Sequence, residues 1–243
     1  MIMSPFELKI GQYFTSLTIY LLFASYRSMF LKVGAVCFLG SLLPSKQSNL
    51  PTRKRIMQKL RELKTHKGIK LTSVASEIDI DAPAEEIWQA LLHYGDVANF
   101  HAGVEASKPA KNCGPKAALG AVRTCDVRDG RREIKLVERI TEFNDGHSYR
   151  YEVFEWENFP LKVMFFGFSI VEKDGGKRAL RLIQNYRLKP GFMSSLMKWK
   201  IRQMQHRILL GYKHYIETGE KNVPIKDLVS ASGRAVRSVA PHG

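Results

Sequence analysis

Apolar and polar residues alternate in the second half of Leu71–Asp81: Ile78 and Ile80 fall on one side, Glu77, Asp79 and Asp81 on the other. A period of two predicts a half-buried strand. The period then changes. Pro83 suits a first helical turn, Glu85 and Glu86 suit the positive end of a helix dipole, and Ile87, Trp88, Leu91 and Leu92 form one apolar face. This helix is expected to stop near Gly95. Val97–Ala102, which holds Phe100 and His101, follows as a loop, and the Lys108–Lys116 stretch reads as a loop or weak edge strand. Five strand candidates follow: Leu119–Val127, Arg132–Phe143, Ser148–Trp156, Leu161–Glu172 and Arg178–Leu188. Their separators are turn chemistry, including Asp129-Gly130 and Asp145-Gly146. Such tight separators predict hairpins and so an antiparallel meander.

A long helix is predicted from about Phe192 to Glu217. Met197, Ile201, Met204, Ile208, Tyr212 and Tyr215 recur at steps of three and four, Lys and Arg cover much of the remainder, and Gly219 supplies a stop. A meander curls because sheets twist. A single long helix buries its stripe by lying in that curl, and a gap left between helix and sheet would form a pocket. The fold class is therefore α+β, a curved antiparallel sheet wrapped around a long C-terminal helix.

The ends change the picture. Residues 1–56 read as an apolar and basic extension with a linker, 57–220 as the folded domain, and 221–243 as a basic tail without fixed structure. Of the formal net charge of +15, the extension carries +6, the tail +3 and the domain +6. Such a balance points to polyanions. The basic residues lack the interleaved aromatics of a single-strand platform, so nucleic acid is not expected and an anionic membrane surface is the better partner. Tyr13–Tyr26 and Val33–Leu43 are apolar but split by Arg27 and Lys32. Three readings fit: an interfacial anchor within residues 10–43, a signal-like segment starting at Met29, or a natural start at Met57. A cytoplasmic location is expected, with membrane association on the first reading. Cys37, Cys113 and Cys125 show no C-x-x-C spacing, which argues against a disulfide framework or a structural zinc. No metal site and no cofactor are expected.

Three runs within this order resemble one family. They are Ile78-Asp79-Ile80-Asp81-Ala82-Pro83-Ala84-Glu85-Glu86-Ile87-Trp88, then Gly120–Cys125 with Glu138-Arg139-Ile140, and finally Tyr212–Gly219 closing the last helix. Together they resemble the START-like helix-grip superfamily, also called SRPBCC, in its polyketide cyclase/dehydrase-like branch. The resemblance covers about residues 72–219. It implies a helix-grip fold and a hydrophobic small-molecule ligand such as a lipid or polyketide. Relatives often carry Trp-His-Pro after the first helix, where this chain has Phe100-His101-Ala102.

The candidate ligand-binding residues follow from the inward faces. Tyr149 and Tyr151 share a face with Val153, opposite Phe154 and Trp156. Phe165 is a candidate from a strand apolar on both sides. Gln184 and Tyr186 are polar groups on the last strand, and Met197, Ile201 and Met204 lie on the helix stripe. Trp88 and Phe100 complete the apolar set. Each of these is equally explained by core packing. Glu138 shares a face with Leu136 and Ile140, so it is either an acid–base group or ligand anchor, or the partner of Arg123 on the neighbouring strand. His101 stands where a pocket mouth would lie. Glu138 and His101 are the catalytic candidates, with Tyr149 beside them, but no catalytic motif surrounds them and whether the chain is an enzyme stays open. Carriage of an apolar ligand, a cyclase or dehydratase reaction on it, and peripheral membrane binding are the three functional expectations.

Overall fold

The structure is a computed structural model that describes residues 60–230. The readings of residues 1–56 and of the tail beyond residue 230 lie outside the described residues. Two very short strands, β1 (Thr65–His66) and β2 (Ile69–Lys70), pair as a hairpin. Then come β3 (Thr72–Ile80), α1 (Ala84–Leu92), a 3-10 turn at Val97–Asn99 and β4 (Ala106–Pro109). The meander is β5 (Val122–Asp129), β6 (Arg132–Asn144), β7 (Ser148–Glu157), β8 (Leu161–Glu172) and β9 (Arg178–Leu188). The chain continues through α2 (Met193–Leu196) into α3 (Lys198–Thr218). Seven strands form one antiparallel sheet in the order β3-β9-β8-β7-β6-β5-β4. The helix-grip arrangement is present, with the first and last strands as neighbours.

The long helix lies in the curl as its stripe requires. Ile201, Ile208 and Tyr212 are buried, Met197, Met204 and Tyr215 are half-buried, and Leu209 and Gln205 widen the buried face. Gln205 donates to the Val74 carbonyl at 3.1 Å and accepts from the Ser76 hydroxyl at 2.8 Å, so a buried amide fixes α3 against β3. The helix ends at Gly219, which is left-handed at φ 75° and donates to Tyr215 O at 2.8 Å. The first helix stops earlier than expected, at Leu92 rather than near Gly95. The tail also differs at its start: Asn222 N–H donates to Asn99 O at 2.6 Å, and residues 225–230 are helical. None of the described helices is long and apolar enough to cross a membrane.

The sheet is covered on both faces at β8. Met164, Phe166, Phe168 and Ile170 point into the main core, while Val163 and Phe165 pack outside against Leu71, Leu63 and Ile69. Phe165 therefore lies on the outer face, with His66 edge-on to its ring at 4.9 Å, and cannot line a pocket inside the curl. Trp156 is a second correction. A register shift between Val137 and Glu138 breaks the alternation of β7, pairs Trp156 with Leu136 and turns it toward the main core, leaving Phe154 outside under Arg139.

Under the covering segment runs a buried polar network. Arg150 on β7 places Nε 3.0 Å from Glu142 Oε1, donates through Nη1 to Asn185 Oδ1 at 3.0 Å, and donates through Nη2 to Arg61 O at 2.6 Å. Asn185 in turn donates to Ser73 Oγ at 2.7 Å. Gly167 on the intervening strand has no room for a side chain, because one there would meet Leu60 at 2.9 Å and Ile183 at 3.1 Å. Arg150→Leu leaves Asn185 and the Arg61 carbonyl without their donor. It is expected to cost about 2–3 kcal/mol in urea unfolding and to raise deuterium uptake over residues 60–71. Unchanged uptake there would show that the arginine does not hold the segment down.

Candidate functional site

The site forms where β5, β6 and β7 face α1 and α3. Arg123 and Glu138 sit opposite each other on β5 and β6, both buried, and Arg123 Nε donates to Glu138 Oε2 at 2.6 Å. The pairing allowed by the sequence is thus present. Nη1 of Arg123 donates to the Tyr94 carbonyl at 2.7 Å, at the end of α1. The guanidinium lies 4.0 Å from the Tyr94 ring centroid and 5.0 Å from that of Tyr151. Burial works most strongly against the Arg123 charge, but Glu138, with Cys125, Tyr94 and Tyr151 adding to it, outweighs burial and holds the guanidinium pKa above its ordinary value. Cys125 points at the same carboxylate, with Sγ 3.7 Å from Glu138 Oε2. Burial, and then Glu138, pushes its thiol pKa up, so it is a poor nucleophile.

Around the ion pair stand four tyrosines. Tyr94 packs edge-on to Tyr149 at 6.0 Å and to Tyr151 at 5.8 Å; Tyr149 lies 5.9 Å from Phe168, and Phe168 lies 5.1 Å from Tyr212. All four are buried, and burial raises every one of their pKa values, that of Tyr149 to about 12. They are neutral phenols at physiological pH. The Tyr94 hydroxyl and the Gln184 Oε1, both inside, have no hydrogen-bond partner. Gln184 Nε2 reaches only the Met164 sulfur at 3.5 Å.

The loop after α1 closes this interior. Phe100 stacks on Tyr215 at 4.4 Å and meets Tyr212 edge-on at 5.0 Å. Its carbonyl comes against α3 at Gly211, where any side chain would collide with it. His101 is buried, edge-on to Tyr212 at 6.0 Å, and its Nδ1 accepts the Gly103 N–H at 3.3 Å. Burial, with Arg123 adding to it, lowers the His101 pKa to about 3, so the ring is neutral. Two hollows open at the surface. One, of about 250 Å³, lies between residues 98–104 and residues 222–228, with His101 in its wall.

The expected residues divide accordingly. Trp88, Arg123, Glu138, Tyr149 and Tyr151 come together, with Phe100 and His101 at the edge. Trp88 is pinned to the β6–β7 turn by its Nε1 donating to Asp145 Oδ1 at 3.1 Å. Ile201, Met197 and Met204 belong to the helix side of the core, and Gln184 to the floor. Tyr186 is tied elsewhere, its hydroxyl donating to Ser194 O at 2.7 Å. No hydrogen bond or ion pair links His101 to Glu138. Tyr94 and Tyr212 are members of the site that the candidate residues did not include. Tyr212 stood in the helix stripe, whereas Tyr94, though three and seven residues on from Leu91 and Ile87, lies just past the last turn of α1.

No curated protein matches the chain. Among solved structures it is similar to Ara h 8.0201, at 13% identity over 60% of this chain and 97% of that one, TM-score 0.49. A START superfamily protein from Mycobacterium smegmatis is similar at 14% identity over 59% and 98%, TM-score 0.48. The protein XoxI from Bacillus cereus is similar at 15% identity over 59% and 94%, TM-score 0.48. The family described as polyketide cyclase / dehydrase and lipid transport matches residues 72–217, which is the whole sheet from β3 to the last turn of α3. The chain therefore belongs to the polyketide cyclase/dehydrase and lipid transport family.

Proposed function

We propose that the chain binds an amphipathic small molecule between the sheet and α3, with an apolar body among the aromatic rings and a polar group beside Arg123, Glu138 and Tyr94. The observation that carries this reading is unpartnered polar atoms in the interior, the Tyr94 hydroxyl beside the buried Arg123–Glu138 pair and, farther along the sheet on β9, Gln184 Oε1. Each costs about 1–3 kcal/mol unless something satisfies it. A core selected only for packing would hold phenylalanine and leucine there. The Gln184 oxygen accepts and so needs a donor such as a ligand hydroxyl, while the Tyr94 hydroxyl can donate to a ligand hydroxyl, carbonyl or carboxylate. Entry requires the Phe100–His101 loop to lift from Tyr212, Tyr215 and Gly211, against which it packs.

An acid–base role for Glu138 and His101 gains less support. The Glu138 carboxylate is engaged by Arg123, and the His101 Nδ1 lone pair by the Gly103 N–H. Neither is poised to exchange a proton with a substrate.

The test uses the fluorescent fatty acid cis-parinaric acid with the full chain. Binding at micromolar levels is expected. Gln184→Leu should raise stability by about 1 kcal/mol without ligand and weaken binding about tenfold, because the floor no longer needs or offers a partner. Binding that is undiminished in Gln184→Leu, or absent in the wild type, would overturn the reading.

A further inference from the structure

At the N-terminal end of the long helix the outward face is apolar. Phe192, Leu196 and Trp199 are 65%, 67% and 70% exposed. They lie at i, i+4 and i+7, so they share one side of the α2–α3 stretch, while Ile201 and Ile208 face the core. Burial of these three side chains is not needed for the fold, and water gains nothing from contact with them. The surrounding charge is predominantly basic, although Glu77 lines the hollow beside Trp199 and Arg202 and Asp129 pairs with Lys200. Lys189, Lys198, Lys200 and Arg202 are exposed around the stripe. Between Asp174 and Glu217 the chain carries ten Lys/Arg and no acid. Lys200 contacts Asp129 at 2.9 Å; Lys198 and Arg202 flank Lys200 in sequence.

We infer that this face docks on an anionic lipid bilayer, with Phe192, Leu196 and Trp199 entering the headgroup boundary and the lysines and Arg202 meeting lipid phosphates. A tryptophan beside aliphatic and aromatic neighbours with a cationic rim suits the interface between water and acyl chains. Three side chains are too few for a stable protein interface of standard size, but a bilayer accepts a patch of this size when basic residues add to it. The inference stands independently of the interior ligand, because it rests on the opposite face of the helix.

The experiment uses the full chain and vesicles of phosphatidylcholine with or without phosphatidylserine. Subtracting the emission of Trp199→Phe from that of the wild type isolates one indole of three. With phosphatidylserine present, that difference spectrum should shift to the blue and be quenched by lipids brominated on their acyl chains. Both effects should fade as salt rises. Phe192→Ser with Leu196→Ser, and separately Lys198→Glu with Arg202→Glu, should each weaken vesicle binding about tenfold or more while near-UV circular dichroism stays unchanged. Three results would overturn the inference. Trp199 could stay unshifted and unquenched while the chain sediments with vesicles through another segment. Trp199 could already be shielded from iodide before vesicles are added, which would mean that the chain's own N-terminal residues cover it. The Phe192/Leu196 change could instead abolish a concentration-dependent dimer, which would make a second copy the occupant.

Discussion

Glu138→Leu alone is expected to lower the unfolding free energy by about 3–5 kcal/mol, and Arg123→Met made in the same chain should restore most of that loss. The reason lies in the asymmetry of buried charge. Arg123 and Glu138 are both almost fully out of water and 2.6 Å apart. With the carboxylate gone, the guanidinium keeps the Tyr94 carbonyl and two tyrosine faces but loses its counter-charge. Those contacts do not replace an anion, because cation–π attraction contributes only about 0.5–2 kcal/mol. When both charges are replaced by apolar chains of similar volume, no desolvated ion remains and the surrounding rings can pack on them. Urea unfolding of the two single variants and the double variant gives the coupling directly. A cost below about 1 kcal/mol for Glu138→Leu would mean that water reaches the pair, contrary to its burial. The same series bears on function. If the pair anchors a polar ligand group, the double variant should be stable yet bind cis-parinaric acid poorly.

The strands were legible because each hairpin carries its own turn chemistry. Asp129-Gly130 and Asp145-Gly146 fix where β5, β6 and β7 reverse, and the bounds follow from those dipeptides. The pairing of β3 with β9 left no local trace: the two strands are about a hundred residues apart, and nothing within β3 encodes its neighbour. The inward face of Tyr149, Tyr151 and Val153 was readable from alternation, but Trp156 was not, because one bulge reversed the parity after Val153. Phe165 illustrates a different limit. Alternation reports a face only when the other face is wet, and at β8 the residues from Leu63 to Leu71 cover the outside. Of the site, Arg123 opposite Glu138 could be proposed from strand register. Tyr94 was not among the candidates: its spacing continues the Ile87–Leu91 face, but that marks a residue of the core and not its place over a guanidinium on β5. The orphan hydroxyl and amide oxygen are also invisible in sequence, because their lack of partners is a property of the packing.

His101 should make the protein acid-sensitive. Its folded pKa is lowered from 6.5 to about 3, first by burial and then by the nearby Arg123 charge. Above the unfolded value the ring is neutral in both states and exacts no penalty. As the pH falls from about 6.5 toward about 3, the unfolded chain takes up a proton that the folded chain refuses. Stability is therefore complete at the upper end of this window and lost toward the lower end, by about 1.4 kcal/mol per pH unit and on the order of 4 kcal/mol in all. Carboxylates titrate in the same range, so the informative quantity is the difference from His101→Asn, which keeps an acceptor for the Gly103 N–H but no titrating ring. The wild-type curve should drop away from the variant curve as the pH falls below about 6.5. Parallel curves would show that the ring is already in water. The loop that carries His101 also carries Phe100, the residue stacked on Tyr215 that keeps the interior shut. Protonation that loosens this loop would then release an apolar ligand. Parinaric acid should accordingly dissociate in acid more readily from the wild type than from His101→Asn, at a pH where both are still folded.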